Sequence, residues 1–202
     1  MSFKLLSIRN SLRFTSIALL CAATVCATAP RGWYLSGSNA KSYASGVDAQ
    51  TLYDGHRSVY LKATAPSIDG FGTLMQDFRA DQYSGKRIRL SAALKTDGVD
   101  EWAGLWMRVD KGTGANPKIV AFDNMQDRAV HGTHDWQSYQ VVLDVPADAT
   151  GVFFGVLLNG PGSVWMSDVK LDAVGLDVPT TGAPFGSNEP RPNAPVNLNF
   201  AQ

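Results

Sequence analysis

The sequence predicts an all-β fold, an antiparallel sandwich of two sheets. Three observations carry this. Short apolar segments with strand-like alternation recur along the chain, and turn signals break them about every 8–12 residues, the spacing of sandwich folds. The 19 glycines and 10 prolines supply those turns. No long segment has helical periodicity, and no internal repeat stands out.

Alternating side chains point to opposite faces of a strand, so each segment can be assigned an inner face. Ser58–Thr64 puts Val59, Leu61 and Ala63 inward. Gly72–Phe78 follows an Ile-Asp-Gly-Phe-Gly turn. Lys86–Thr96 sets Ile88, Leu90, Ala92 and Leu94 against Arg87, Arg89 and Lys95. Trp102–Asp110 is a separate strand with Leu105, Met107 and Val109 inward. Lys118–Asn124 comes next, and Trp136–Val145 buries Tyr139, Val141, Leu143 and Val145. Gly151–Leu158 is apolar on both sides and so central in its sheet. A Gly-Pro-Gly turn leads into Val164–Val174. Asp81–Gly85 reads as a turn, and Pro146–Ala149 as a single helical turn.

The outer face of Trp102–Asp110 is the most informative. It carries Trp102, Gly104, Trp106, Arg108 and Asp110, where a plain solvent face would carry Thr, Lys, Glu and Ser. Two indoles, a gap and a guanidinium suit a planar or sugar-like ligand. The other reading is that a second layer covers the indoles, since Trp is often largely buried.

A second polar cluster runs from Ala121 to Arg128 and on through His131, His134, Asp135 and Trp136. Asn124, Gln126, Asp127 and Arg128 offer donors and acceptors that match a diol or a peptide. A loop held by its own Asx turns explains Asp123 and Asn124 equally well. His131 and His134, with Asp127 and Asp135, lie on a loop whose spacing fixes no metal geometry. A structural Ca²⁺ held by Asp side chains and carbonyls suits a sandwich better, although the spacing is not that of an EF-hand.

Signals for catalysis are sparse. No GxSxG elbow occurs, and Gly112-Thr-Gly114 lacks the Gly-Lys-Thr of a phosphate loop. A carboxylate pair for glycoside hydrolysis stays open, because Asp and Glu occur throughout.

Residues 1–27 read as an export signal. Lys4, Arg9 and Arg13 form a basic start, Phe14–Ala27 is apolar, and Val25-Cys26-Ala27 fits a small-x-small cleavage site. The apolar run is too short for a comfortable membrane span, and no later segment is long and apolar enough. Cys21 and Cys26 both lie in this segment, which leaves no disulfide or thiol beyond it. The 175 residues that follow suit one domain with a full core. They hold 15 basic and 18 acidic residues with no Lys/Arg run, which argues against a nucleic-acid partner. The domain is expected over 28–175. An extended Pro/Gly/Asn-rich tail follows over 176–202, with an edge strand at Pro195–Phe200.

The order YLKAT, YSGKRIRLSAALKT, EWAGLWMRVD, AFDNMQDR, GTHDWQSYQVVLDVP, FGVLLNGPGSVWMSDVKLDAV and DVPTT resembles an uncharacterised bacterial domain with a galactose-binding-like jelly roll. Copies of that domain stand alone or are appended to other proteins, and some carry the label of AraC-type transcriptional regulators. The resemblance spans Gly32 to Thr181. More broadly the plan is similar to jelly-roll carbohydrate-binding modules, in which a strand such as Ser167–Leu171 closes the sandwich. It implies a site at Trp102, Trp106, Arg108, Gln126 and Arg128.

The expectation is therefore an exported, non-catalytic module, periplasmic or secreted, that binds a carbohydrate or related polar ligand. Trp102 and Trp106 would stack on the ligand, Arg108 and Arg128 would donate hydrogen bonds, and Asn124, Gln126 and Asp127 would orient it. Trp106→Ala should then weaken binding and leave the melting temperature nearly unchanged. The alternatives are an envelope protein–protein module that docks through a sheet edge or the tail, and a hydrolase with a carboxylate pair.

Overall fold

The computed structural model describes residues 29–112 and 117–182, so the expected export signal and Pro195–Phe200 lie outside the described residues. Nine strands follow in chain order: β1 Tyr34–Ser36, β2 Tyr43–Tyr53, β3 His56–Ala63, β4 Phe71–Arg79, β5 Arg87–Lys111, β6 Lys118–Asp123, β7 Val130–Asp144, β8 Ala149–Asn159 and β9 Ser163–Val174. Every pairing is antiparallel. The fold is a jelly-roll sandwich, as the sequence predicts.

β5 organises it. Its first half, Arg87–Asp97, pairs with β7 and β9. Its second half, Trp102–Lys111, pairs with β8 and β6. Sheet 1 thus runs β2-β3-β9-β5-β7 and sheet 2 runs β1-β4-β8-β5-β6. The two strands expected at Lys86–Thr96 and Trp102–Asp110 are one. The Asp97-Gly98 step between them looks like a turn in sequence, but it is a bend. Gly98 has φ +56°, and the register with β7 shifts between Leu94 and Ala103. Bulges bend a strand without ending it, so a single strand can serve both layers.

The core lies between the sheets. Ile88, Leu90 and Leu94 from the first half of β5 meet Leu105, Met107 and Val109 from its second half, all essentially buried. Val141 and Leu143, Val156 and Leu158, and Val164 and Met166 complete it from β7, β8 and β9. β7 begins earlier than expected, and His131–Asp135 lies in the strand rather than in a loop. Beyond β9, residues 176–182 return along the edge of sheet 1. Arg87 Nη1 donates to the carbonyls of Leu176 and Val178, and the Thr181 N–H donates to the carbonyl of Val142.

Gly155 marks a close approach inside sheet 2. A Cβ there would sit 2.3 Å from the Leu74 carbonyl oxygen and 2.9 Å from the Cα of Met75. Both are backbone atoms of β4, so the strand itself would have to move. Gly155→Ala is expected to cost about 1–3 kcal/mol through this overpacking, read as a lowered midpoint in thermal unfolding.

Candidate functional site

Sheet 2 carries on its outer face a cavity of about 560 Å³, within the roughly 300–1,000 Å³ of small-ligand sites. Strand register builds it. Tyr34, Met75, Gly155 and Trp106 form one cross-strand row over β1, β4, β8 and β5. Ser36, Thr73 and Leu157 form the next row. On the other side, Phe153 of β8 sits between Asp77 and Arg108, and Arg108 faces Phe122 of β6. With Gly155 lacking a side chain, the sheet dips between Met75 and Trp106.

Trp106 is the floor. It is 7% exposed and packs with Met75 and Leu157, while Phe71, Trp102, Phe122 and Phe153 lean on that cluster. Its Nε1–H donates to Thr73 Oγ1 at 2.7 Å, and the Thr73 hydroxyl donates to the Val156 carbonyl at 2.9 Å. The indole is locked in orientation and its donor is already used. It can offer a ligand contact area but no hydrogen bond.

The charged groups collect at one end. The Tyr34 hydroxyl donates to Asp77 Oδ1 at 2.7 Å. Burial first, then the Asp77 hydrogen bond and charge, push the Tyr34 phenol up to about 12, against the opposing charge of Arg108. The Arg108 guanidinium lies 4.4 Å from the centre of the Phe153 ring and donates from Nη2 to Asp110 Oδ2 at 3.0 Å. Arg108 Nε and Asp110 Oδ1 are buried and have no hydrogen-bond partner among the described residues. Buried polar groups are nearly always satisfied, so two orphans in one ion pair mark this end as unfinished. Asp110 also lines a smaller cavity of about 340 Å³ that shares Phe153 with the first.

Two sequence-predicted residues, Trp106 and Arg108, line the cavity, with Trp102 packed against its floor. The structure does not bring Asn124, Gln126, Asp127 and Arg128 to that lining. Asn124 Oδ1 accepts the backbone N–H of Gln126 at 3.2 Å, and Asp127 accepts from Arg128 at 2.8 Å. Arg128 is forked onto Asp123 at 2.6 and 3.2 Å and also reaches the Gln140 carbonyl. Its donors brace the loop after β6, where Met125 is buried in a left-handed conformation at φ +60°. Burial raises the pKa of Asp123. Hydrogen bonds from Arg128, Thr181 and the Met125 N–H outweigh that and hold it below the usual carboxylate range.

Sequence reasoning missed Tyr34, Phe71, Met75 and Phe153. A signal was present in β8, where Phe153 and Leu157 alternate with the core residues Val152, Phe154, Val156 and Leu158. An apolar row facing away from the core needs a cover or a ligand.

Among the described residues, no three His, Cys, Asp or Glu side chains gather as a metal site. His131 Nδ1 contacts the Glu101 carbonyl, and Asp135 pairs with Lys95 at 2.8 Å. Asp77 and Asp110 lie two strands apart, which separates their Cα atoms by on the order of 10 Å. No helix among the described residues is long and apolar enough to cross a membrane.

No family model matches the chain. A Bacillus subtilis (strain 168) protein named "Uncharacterized HTH-type transcriptional regulator YbfP" is 43% identical over 173 residues, 85% of this chain. The chain spans 57% of that relative's length. Among solved structures, the CBM22-1 xylan-binding domain of Paenibacillus barcinonensis Xyn10C superposes with a TM-score of 0.51 at 13% identity, covering 72% of this chain and 87% of that one. The enzymatically active domain of bacteriophage CBA120 tailspike protein 4 gives 0.52 at 15% identity, covering 71% of this chain and 20% of that one. The C-terminal family 22 carbohydrate-binding module of Clostridium thermocellum Xyn10B gives 0.51 at 12% identity, over 72% and 87%. These likenesses establish the fold.

Proposed function

We propose that the chain is a non-catalytic binding module that takes a carbohydrate in the cavity on the outer face of sheet 2, and that it works in the cell envelope after export. The observation that carries this is the composition of the cavity. Its floor is aromatic and apolar, built from Trp106, Phe153, Phe71 and Phe122, and its charged groups gather at one end with Tyr34–Asp77 and Arg108–Asp110, while Ser36 and Thr73 line the opposite side. A sugar ring has an apolar face and a polar rim, and this division matches it. The likeness of fold to carbohydrate-binding modules supports the reading by analogy. Aromatic contact with a few hydrogen bonds gives one site an affinity of roughly micromolar to millimolar.

Tyr34→Phe tests the polar end. It removes one hydroxyl from a rim residue that is 41% exposed and leaves the ring in place. The expected result is an unchanged melting temperature with glycan affinity reduced about 3–10-fold, the worth of one hydrogen bond. Equal affinities in calorimetric titration would remove Tyr34 from the site.

The Bacillus subtilis relative favours a second reading, in which the same cavity receives a signal on behalf of a transcriptional regulator. The two readings separate on location. Cell fractionation recovers the chain from the envelope under the first and from the cytoplasm under the second.

A further inference from the structure

A second groove opens between the two sheets, where β4 and β9 face each other. Two cavities of about 460 and 500 Å³ adjoin there and share Gln76, Phe154 and Leu171. None of their lining residues belongs to the cavity on the outer face of sheet 2.

Three features set this groove apart from an ordinary gap at the side of a sandwich. The first is Gln76. Strand alternation places it between Leu74 and Phe78 on the inner face of β4, a position the core would fill with an apolar residue. It is half-buried, and its amide has no hydrogen-bond partner among the described residues. The Pro30–Trp33 turn roofs it, and Gly32 leaves the space, since a Cβ there would come within 3.3 Å of the amide nitrogen. The second is Trp33. The half-buried residue packs its ring edge-on against Phe154 at 5.5 Å, and its indole N–H is solvent-accessible and makes no hydrogen bond among the described residues, so it is open to a ligand. Phe78 extends the aromatic wall, 6.0 Å from Phe154 and 5.6 Å from Tyr83. The third is Asp168 at the rim, held at φ +51° where β9 bulges.

We infer that this groove is a second binding site and that its ligand is a neutral oligosaccharide. Aromatic walls supply contact area, and the Gln76 amide and the Trp33 N–H supply the donors and acceptor that a sugar's hydroxyls need. Formal charges cancel: Arg57 and Arg79 are matched by Asp168 and Asp81, with Arg79 and Asp81 paired at 2.9 Å. Nothing there selects an ion. An extended peptide would need a free strand edge for its backbone, and the groove is walled by side chains on sheet faces. Two sites on one domain would also let a polymeric glycan bind more tightly than a short one, through effective concentration.

The test uses the full chain with its tryptophan indoles labelled for NMR, titrated with xylohexaose, cellohexaose and galactotriose. Trp33 reports this groove, and Trp102 and Trp106 report the cavity on sheet 2. The expected result is a saturable shift of the Trp33 indole resonance, weakened about tenfold in Gln76→Leu. That variant places an apolar side chain on an apolar face, so its melting temperature should hold or rise. The Trp102 and Trp106 responses should be unaffected by it. A Trp33 resonance that stays still while Trp106 moves overturns the second site and leaves the first standing. A Trp33 shift that persists unchanged in Gln76→Leu also overturns it. If no indole responds to any of the three sugars, both sites fall.

Discussion

Trp106→Ala is expected to lower the stability of the domain by about 3–5 kcal/mol, the cost of deleting a buried aromatic side chain. For a domain of this size that is a fall in melting temperature of roughly 6–20 °C, read by circular dichroism. The ring is 7% exposed, sits among Met75 and Leu157, and its Nε1–H donates to Thr73. Truncation leaves a hole under the sheet and takes the donor from the Thr73 oxygen, although the Thr73 hydroxyl keeps its bond to Val156. The sequence alone leads to the opposite expectation, an unchanged melting temperature, because it places Trp106 on an outer face. It is on that face, but neighbouring strands fold their own side chains around it. Loss of glycan binding in Trp106→Ala would therefore say nothing about contact with the ligand. Trp106→Phe keeps an aromatic floor and should retain most of the stability.

Arg128→Ala is expected to cost about 2–3 kcal/mol at neutral pH. Removing one partner of a buried ion pair costs roughly 3–5 kcal/mol, and the Arg128 side chain is 33% exposed, so solvent takes part of the effect. The Asp123 side chain is only 5% exposed and would be left with a buried charge. The direction with pH follows from its pKa, which is held below the unfolded value of about 3.9. The pair's contribution is present above that value and is lost as pH falls through the folded pKa. Arg128→Ala removes the largest of the lowering contributions, so the pKa of Asp123 is expected to rise, with Thr181 and the Met125 N–H still opposing burial. Chemical denaturation should show the largest gap between variant and wild type at neutral pH, narrowing in acid. Arg128→Lys keeps the charge but loses the fork and should fall between them. Asp48 reinforces the acid sensitivity. Burial opposes its ionisation, but the N–H groups of Thr51 and Gln50 and the Trp165 indole hold its pKa far below the usual range. A gap that widens toward acid would contradict the assignment.

The strands that sequence located best are short apolar segments bounded by clear turn signals: β3, β4, β6, β8 and β9 lie within one or two residues of expectation. β2 was illegible because its sequence, YASGVDAQTLY, carries small and polar residues at most positions. It pairs only with β3 and needs little core. β1 is three residues long and gives periodicity nothing to work on. The bend in β5 has the composition of a turn, and only pairing with β7 on one side and with β9 and β8 on the other makes it continuous. The same limit applies to the site. Alternation put Trp106 and Arg108 on the right face, because that is a property of one strand. It did not place Tyr34, Phe71 or Phe153 beside them, because register between strands decides that. Arg128 has the length to reach a ligand, but Asp123, five residues away, takes its donors first.

The account stands most directly on one measurement. It is a glycan-array screen of the protein, followed by calorimetric titration of the strongest hit against wild type and Phe153→Ala, with circular dichroism confirming that the variant is folded. Phe153 lies at the charged end of the cavity between Asp77 and Arg108, and its half-buried ring is the one on which the Arg108 guanidinium rests. The account predicts saturable binding in the micromolar-to-millimolar range by wild type, and a loss of at least about tenfold in folded Phe153→Ala, the equivalent of roughly 1.4 kcal/mol. Absence of any glycan hit, or equal affinity in the two proteins, would contradict it.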